Sequence, residues 1–219
     1  MDMTNEKRVS YTAQNTYTTL NEFTDKTKNV WLVFHGLGYL SRYFINHFAH
    51  LNPTENYIIA PQAPSKYYQG TNFKHVGASW LTKVDTIAET KNVLQYVDSV
   101  FEAEKQTPLP NFIVLGYSQG VSIATRWISS RKIQCDHLIL HSGGIPKELV
   151  KEDFDYMNKN TQVTYLYGDK DQYITEARKT EETLKGTNLF GERLAIEVFD
   201  GTHEVNTNFL TKFQFNSYK

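Results

Sequence analysis

The sequence predicts an α/β fold, a mostly parallel, doubly wound sheet with helices on both faces. Short apolar runs that are continuous rather than alternating are typical of strands covered on both sides. Segments with helical spacing of apolar residues separate these runs, and this alternation indicates βαβ units. The predicted strands are Val30–Phe34, Tyr57–Ala60, Phe112–Leu115, His137–Leu140, Val163–Tyr167 and Leu194–Phe199.

The clearest predicted helix is Asp85–Lys105. Its apolar face consists of Ile87, Leu94, Val97 and Phe101. Residues 1–28 precede the first central strand, and the Thr- and Tyr-rich segment Val9–Leu20 within them is predicted to form one or two antiparallel edge strands. The other predicted helices are Leu40–Leu51, Gln119–Ser130, Ile174–Leu184 and Thr207–Phe215.

The length of 219 residues fits one domain, residues 1–219, without a separate lid. The formal net charge is −1 and the basic residues are scattered, so nothing favours binding to nucleic acid. No apolar stretch predicts a membrane span or a signal peptide. The single cysteine, Cys135, is typical of a reducing compartment, and we expect a cytoplasmic protein. Nothing in the sequence selects an oligomeric state.

The stretch Asn111–Gly120 is the strongest chemical signal in the chain. A predicted strand ends there in Gly116-Tyr-Ser118-Gln-Gly120, and a predicted helix follows at once. Gly-x-Ser-x-Gly between a strand and a helix is typical of a nucleophile elbow, a strained turn that exposes the serine hydroxyl. Its glycines leave room where side chains would collide. Ser118 is therefore predicted to be a catalytic nucleophile; the alternative is a serine that caps the helix.

A serine hydroxyl needs a base to take its proton, and the base needs a third group that holds its tautomer. Ligands bind at the carboxyl ends of strands in such sheets, so the loops after two predicted strands supply candidates. One loop contains Asp169 and Asp171, and the other contains His203. The order serine, acid, histidine is that of an α/β-hydrolase. Loop position does not separate the two acids, and the one that is not catalytic is expected to be a turn or helix-capping residue.

The loop His35-Gly36-Leu37-Gly38 follows the first central strand and is predicted to supply part of an oxyanion hole. Negative charge that develops on a substrate oxygen needs N–H donors already in place. In this fold one donor is the amide of the residue after the nucleophile, Gln119, and one comes from this early loop, where Leu37 is the candidate. A nucleotide-binding loop is the alternative, but its third glycine is missing and the next strand ends without an acid.

The sequence predicts neither a metal nor a cofactor. His47 and His50 could lie on one helix face, but no third ligand lies near them in the sequence. Asp169 and Asp171 have the spacing of a calcium loop without its later ligands.

Residues Pro61–Lys83 have no clear helical or strand period and are predicted to form a long irregular loop. The loop leaves the carboxyl end of a strand, so its aromatic residues begin beside the predicted site and can wall an apolar pocket. A pocket of limited depth favours short or medium acyl chains. The alternative for these aromatic residues, and for Trp80 above all, is that they pack the loop onto the body. The predicted substrate-binding residues are Tyr39, Tyr67, Tyr68, Phe73 and Trp80.

Six motifs occur in the order seen in the phospholipase/carboxylesterase family, which includes acyl-protein thioesterases and small bacterial carboxylesterases. They are His35–Gly38, Pro61–Pro64, Trp80, Gly116–Gly120, Gly168–Asp171 and Gly201–His203. The resemblance covers roughly residues 29–215 and is closest to a group of predicted bacterial serine esterases. It implies a metal-independent serine hydrolase with three catalytic residues: the nucleophile Ser118, the base His203 and the orienting acid Asp171. Leu37 and Gln119 would donate to the oxyanion.

Three departures from the thioesterase pattern bear on the substrate. Tyr39 stands where Asp is usual, Val121 stands where the elbow often has Gly, and Gln172–Thr175 replaces a Val-Pro pair. The expected function is therefore a carboxylesterase that cleaves short- to medium-chain acyl esters, small-molecule substrates, through an acyl-enzyme. The alternatives on the same residues are a thioesterase or lysophospholipase, or a lactone or peptide hydrolase. An intact elbow, acid and histidine argue against a binding module without catalysis.

Overall fold

The computed structural model describes residues 4–212. Its strands are β1 (Tyr17–Leu20), β2 (Asn29–Phe34), β3 (Asn56–Pro61), β4 (Ser65–Gln69), β5 (His75–Ser79), β6 (Asn111–Tyr117), β7 (His137–His141), β8 (Gln162–Gly168) and β9 (Leu194–Phe199). Seven of them form one sheet in the order β1-β3-β2-β6-β7-β8-β9. β1 runs antiparallel to β3, and all the other neighbours are parallel. The six predicted strands of the parallel sheet are therefore confirmed.

Helices cover both faces of this sheet. One face packs against α2 (Thr86–Glu104), α3 (Gln119–Arg131) and α4 (Glu176–Phe190). The other packs against α1 (Ser41–Phe44), the 3₁₀ helix Ile45–Phe48 and α5 (Thr207–Lys212). Two further 3₁₀ helices are Lys151–Phe154 and Gly191–Arg193. Among residues 4–212, no helix has the length and apolar character needed to cross a membrane.

The central strand β2 explains why the apolar runs are continuous. Val30, Leu32 and Phe34 pack into the core under α2 and α3, whereas Trp31 and Val33 pack into the core on the opposite face. Successive side chains of a strand point to opposite faces, so a strand buried on both sides needs an apolar residue at every position. This packing confirms the predicted doubly wound arrangement.

The strand order places several loops at one edge of the sheet. The chain passes from β2 to β3 on one side and then to β6 on the other, so the order reverses between β2 and β6. Phe34 pairs with Gly116 there, and Gly168 pairs with Phe199 farther along the sheet. The loops that follow β2, β6, β8 and β9 therefore leave the same edge, where open α/β sheets bind ligands.

The prediction of an irregular loop over Pro61–Lys83 is wrong for its central part. β4 and β5 form an antiparallel hairpin that is separate from the main sheet. Every residue of β4 is exposed, so the sequence carries no alternation of buried and exposed positions there.

Two expectations about burial also need correction. The edge strand β9 is not covered on both faces, and Ile196 and Val198 are exposed. Ile87 lies in the first turn of α2 and is 79% exposed, because this turn lies beyond the part of the helix that packs on the sheet.

At the chain ends and in the first helix, the predicted lengths differ from those observed. Val9–Leu20 contributes one antiparallel strand, β1. The predicted helix Leu40–Leu51 is a single α-helical turn followed by a 3₁₀ helix. The last helix is observed to Lys212, and the predicted residues 213–215 lie outside the described residues.

Candidate active site

Ser118 occupies a strained turn between β6 and α3. Its backbone has φ 52° and ψ −117°, a conformation that side-chain-bearing residues rarely adopt. A Cβ on Gly116 would lie 2.5 Å from the Cα of Val121, and a Cβ on Gly120 would lie 2.1 Å from the carbonyl oxygen of Phe34. Both glycines are therefore required for the turn to pack against β2 and α3.

The structure brings Ser118, His203 and Asp171 into one hydrogen-bonded chain. The distance from His203 Nε2 to Ser118 Oγ is 3.0 Å, and the distance from His203 Nδ1 to Asp171 Oδ2 is 2.7 Å. A carboxylate can only accept, so Nδ1 carries the proton and Nε2 is free to accept from the serine. The Asp171 side chain is completely buried, and its second oxygen accepts the backbone N–H of Tyr173 at 2.8 Å.

Asp169 lies in the same loop but makes different contacts. It is exposed, and its Oδ1 accepts the backbone N–H of Gly201 at 3.0 Å. Its own N–H donates to the carbonyl of Phe199 at 2.9 Å. Asp169 therefore joins the β8 and β9 loops to each other and does not bond the His203 ring. Helix α4 is capped by Thr175, so neither acid serves as its cap.

The loop after β2 is fixed so that the Leu37 amide has a defined direction. The carbonyl of Gly36 accepts from His35 Nδ1 at 2.8 Å and from the N–H of Tyr39 at 3.3 Å. In a trans peptide the C=O and the following N–H point in opposite directions, so these bonds also orient the Leu37 N–H. His35 Nε2 accepts the N–H of Ala63 at 3.1 Å. Burial lowers the pKa of His35 to about 4, which keeps the ring neutral and both bonds intact.

The side chain of Gln119 holds the elbow against the end of β5. Its Oε1 accepts the N–H of Trp80 at 2.8 Å, and its Nε2 donates to the carbonyl of Leu81 at 2.7 Å and to Ser79 Oγ at 3.1 Å. The amide of Gln119 belongs to the first residue of α3, so no carbonyl of the helix itself can accept from it. Sequence reasoning identified the amide of Gln119 but not the role of its side chain.

Two further residues support His203 and were not predicted as site residues. The Tyr117 hydroxyl donates to the carbonyl of His203 at 3.0 Å, and the two rings lie 5.3 Å apart. His141 Nε2 accepts the N–H of Asn206, in the same loop, at 2.9 Å. Burial lowers the pKa of His141 to about 3. Both residues end a strand at the ligand-binding edge, and this position is the only sequence signal that could have indicated them.

The residues predicted to contact substrate lie at different distances from the hydrogen-bonded chain of Ser118, His203 and Asp171. Tyr39 is half-buried, with its ring edge-on to that of Tyr117 at 6.1 Å. The Tyr67 hydroxyl approaches Gly38 of the loop after β2. Tyr68 and Phe73 are exposed and pack on each other at 5.4 Å, and Tyr68 points to the opposite face of the hairpin from Tyr67.

Trp80 is buried, with 1% of its surface exposed, and its Nε1 donates to the carbonyl of His35 at 2.8 Å. It packs against Phe34 and His35, with ring centroids 5.7 and 5.0 Å away. This placement matches the alternative interpretation of Trp80, in which it packs the segment onto the body. Within residues 4–212, no three His, Cys, Asp or Glu side chains are grouped so that they could hold a metal ion.

Comparisons with known proteins agree with this architecture. The profile of the phospholipase/carboxylesterase family matches residues 15–215. No match was found among curated proteins. Among solved structures, a phospholipase/carboxylesterase from Dyadobacter fermentans is 20% identical, with a TM-score of 0.61 over 92% of this chain and 95% of that one. Zea mays acyl-protein thioesterase 2 is 16% identical, with a TM-score of 0.63 over 90% of this chain and 98% of that one.

A third solved structure, esterase PE8, is 21% identical, with a TM-score of 0.65 over 90% of this chain and 98% of that one. At such identities the likeness establishes the fold, which is that of the α/β-hydrolases, and residues 4–212 contain no separate lid. The family profile, by contrast, covers most of the 219 residues. The chain therefore belongs to the phospholipase/carboxylesterase family.

Proposed function

We propose that the protein is a serine carboxylesterase that hydrolyses short- to medium-chain acyl esters of small molecules through an acyl-enzyme. The observation that carries the proposal is the continuous chain from Ser118 Oγ through the His203 ring to Asp171, with distances of 3.0 and 2.7 Å. A strained elbow presents the serine at this chain, and strain at such a position is typical of a functional site. The family is one of hydrolases.

In the proposed mechanism, His203 Nε2 takes the proton from Ser118 as Oγ attacks the ester carbonyl. Asp171 stabilises the imidazolium that forms and holds its tautomer. The amides of Leu37 and Gln119 donate to the developing oxyanion, and one such donor is worth roughly 3–4 kcal/mol of transition-state stabilisation. His203 then protonates the leaving alcohol, and in a second step it activates water to release the acid. No cofactor takes part in these steps.

The preference for short or medium acyl chains rests on the residues around the Leu37 loop. Tyr39 stands where the thioesterases have an acid, and its ring packs on Tyr117 and Phe44, at 6.1 and 5.7 Å. This arrangement places aromatic surface directly beside the proposed oxyanion hole. Tyr67 approaches the same loop from the hairpin. These rings offer an acyl chain an apolar wall beside the loop, and residues 4–212 form no lid domain that would enclose a long chain.

The proposal is tested by comparing the wild type with Ser118→Ala and with a control, Ser122→Ala, one turn along α3. Nitrophenyl acetate, butyrate, octanoate and palmitate report on chain length, and a matched thioester and amide report on the bond cleaved. We expect ester hydrolysis that is highest for the shorter chains and is abolished by Ser118→Ala alone. Equal turnover by Ser118→Ala would end the proposal, and faster turnover of the thioester or amide would replace it by the corresponding activity.

Two variants of the hairpin test whether its aromatic residues set the preference for acyl-chain length. Tyr67→Ala is expected to change the relative kcat/KM across the acyl series because Tyr67 faces the Leu37 loop. Tyr68→Ala is the matched control, because its ring points to the other face and contacts Phe73. If neither variant alters the series, the hairpin does not set chain-length preference.

A further inference from the structure

An arginine with free hydrogen-bond donors lies beside the proposed catalytic histidine. Arg178 is in the first turn of α4, and its Nη1 donates to the carbonyl of Tyr173 at 3.3 Å. The Tyr173 ring in turn packs edge-on against the His203 ring at 4.7 Å. Tyr173 therefore lies between the two side chains, with its carbonyl on the Arg178 guanidinium and its ring on the His203 imidazole.

The loop after β7 is shaped around the same guanidinium. A Cβ on Gly144 would lie 2.5 Å from Arg178 Nη2, so the absence of a side chain at this position leaves the space that the guanidinium occupies. The preceding residue, Gly143, packs against the backbone of Ser118, since a Cβ there would lie 2.2 Å from the Ser118 carbonyl. Arg178 thus borders a short loop that touches the proposed nucleophile.

The charge of Arg178 is only partly compensated. Its nearest acid is Glu182, with 3.8 Å between Arg178 Nε and Glu182 Oε1, which is longer than a hydrogen bond. Glu182 is buried and accepts the N–H of Ile145 at 2.9 Å, and it also lies in the field of Lys185. Glu182 therefore forms no hydrogen bond with Arg178 and is also shared with Lys185.

Other cations near the site are already engaged. Lys179 Nζ lies 2.6 Å from Glu176, and Lys170 bonds Asp200. By contrast, Arg178 Nη2 has no hydrogen-bond acceptor among residues 4–212, and 41% of the Arg178 side chain is exposed to solvent. A planar guanidinium with unused N–H groups is the side chain best suited to bind a carboxylate or phosphate.

The side of the site on which Arg178 lies indicates which part of the substrate it would meet. His203 protonates the leaving oxygen in the proposed mechanism, so the alcohol portion of the ester leaves on the His203 side. Tyr173 and Arg178 lie on that side. We propose that Arg178 determines specificity for esters whose alcohol portion carries an anionic group, a carboxylate or a phosphate. This inference rests on the proposed esterase function.

A matched pair of substrates tests the inference. 4-Acetoxybenzoate carries a carboxylate on its leaving group, and its methyl ester is the neutral counterpart with the same acyl group. The quantity compared between variants is the ratio of the two kcat/KM values, so intrinsic differences in reactivity cancel. In Arg178→Gln we expect this ratio to fall roughly ten-fold, mainly through a higher KM for the anion, as loss of one charge-assisted hydrogen bond implies.

Two further variants make the outcome decisive. Arg178→Lys keeps the charge, and we expect it to lower the ratio less than Arg178→Gln does. Arg131→Gln removes a cation that is paired with Asp98 away from the loop, and we expect it to leave the ratio unchanged. An unchanged ratio in Arg178→Gln would overturn the inference. If kcat/KM falls equally for both esters, the ratio is also unchanged, and the loss indicates a structural role of Arg178 through Tyr173. Failure of the wild type to cleave either ester would instead refute the proposed function itself.

Discussion

Acidification to pH 5 is expected to destabilise the protein strongly, because three histidines are buried in the neutral form. Burial lowers the pKa of His35 and His137 from 6.5 to about 4 and that of His141 to about 3. In the unfolded chain each binds a proton as the pH falls below 6.5, whereas in the folded protein each stays neutral until much lower pH. The unfolded state thus binds more protons in this window, and stability falls as the pH falls.

The magnitude follows from these values. At pH 5, each histidine with a folded pKa of about 4 or below lowers the free energy of unfolding by about 2 kcal/mol relative to pH 8. Together the three account for about 6 kcal/mol, against a typical total of about 5–15 kcal/mol. Glu182 acts in the opposite direction, since burial raises its pKa and its protonation is easier in the folded state.

The assay is urea unfolding followed by tryptophan fluorescence at pH 8.0 and at pH 5.0. The midpoint is expected to fall by about 2–3 M between the two. His137→Gln, which keeps a polar group opposite Thr164, should remove roughly a third of the pH dependence, while the exposed His75→Gln should leave it unchanged. A midpoint that stays constant from pH 8.0 to 5.0 would refute the conclusion that these rings are buried and neutral.

Three further predictions concern the residues around the proposed nucleophile. Asp171→Asn should lower kcat by roughly 10⁴, whereas Asp169→Asn should lower it far less; the reverse ranking in steady-state ester hydrolysis would identify Asp169 as the acid. Tyr117→Phe should cost about 1 kcal/mol in urea unfolding and lower kcat several-fold, since it removes only the hydroxyl bonded to His203; an unchanged kcat would show that this bond does not position the ring. Gln119→Ala should destabilise the protein by about 1–3 kcal/mol while retaining measurable kcat, because the backbone donor remains; complete loss of activity in a folded variant would contradict the structural role of the side chain.

The parallel sheet could be predicted from sequence because burial on both faces leaves a continuous apolar run, as in β2. The hairpin of β4 and β5 could not, because every residue of β4 is exposed and only the last three residues of β5 are buried, so the core imposes no alternating pattern on it. The edge strand β9 shows the opposite case: its sequence is apolar although Ile196 and Val198 face solvent.

The grouping of Ser118, Asp171 and His203 followed from their positions after strands of one parallel sheet, since the strand ends share an edge. Loop position alone did not separate Asp169 from Asp171, because the two lie in one loop, and the preference for Asp171 rested on the family resemblance. In the structure, only Asp171 turns inward and bonds the histidine. The supporting contacts of Gln119 and Tyr117 were out of reach, because they join residues about 40 and 86 positions apart whose pairing depends on strand register.

The central claim is that Ser118 is a nucleophile activated by His203, and covalent labelling tests it most directly. The protein is incubated with a fluorophosphonate, which transfers its phosphonyl group to an activated serine with loss of fluoride, and the modified peptide is identified by mass spectrometry. We predict one adduct, on the peptide that contains Ser118, formed rapidly in the wild type, slowly in His203→Ala and not at all in Ser118→Ala. Absence of an adduct in the folded wild type, or equal labelling of Ser118→Ala, would contradict the account.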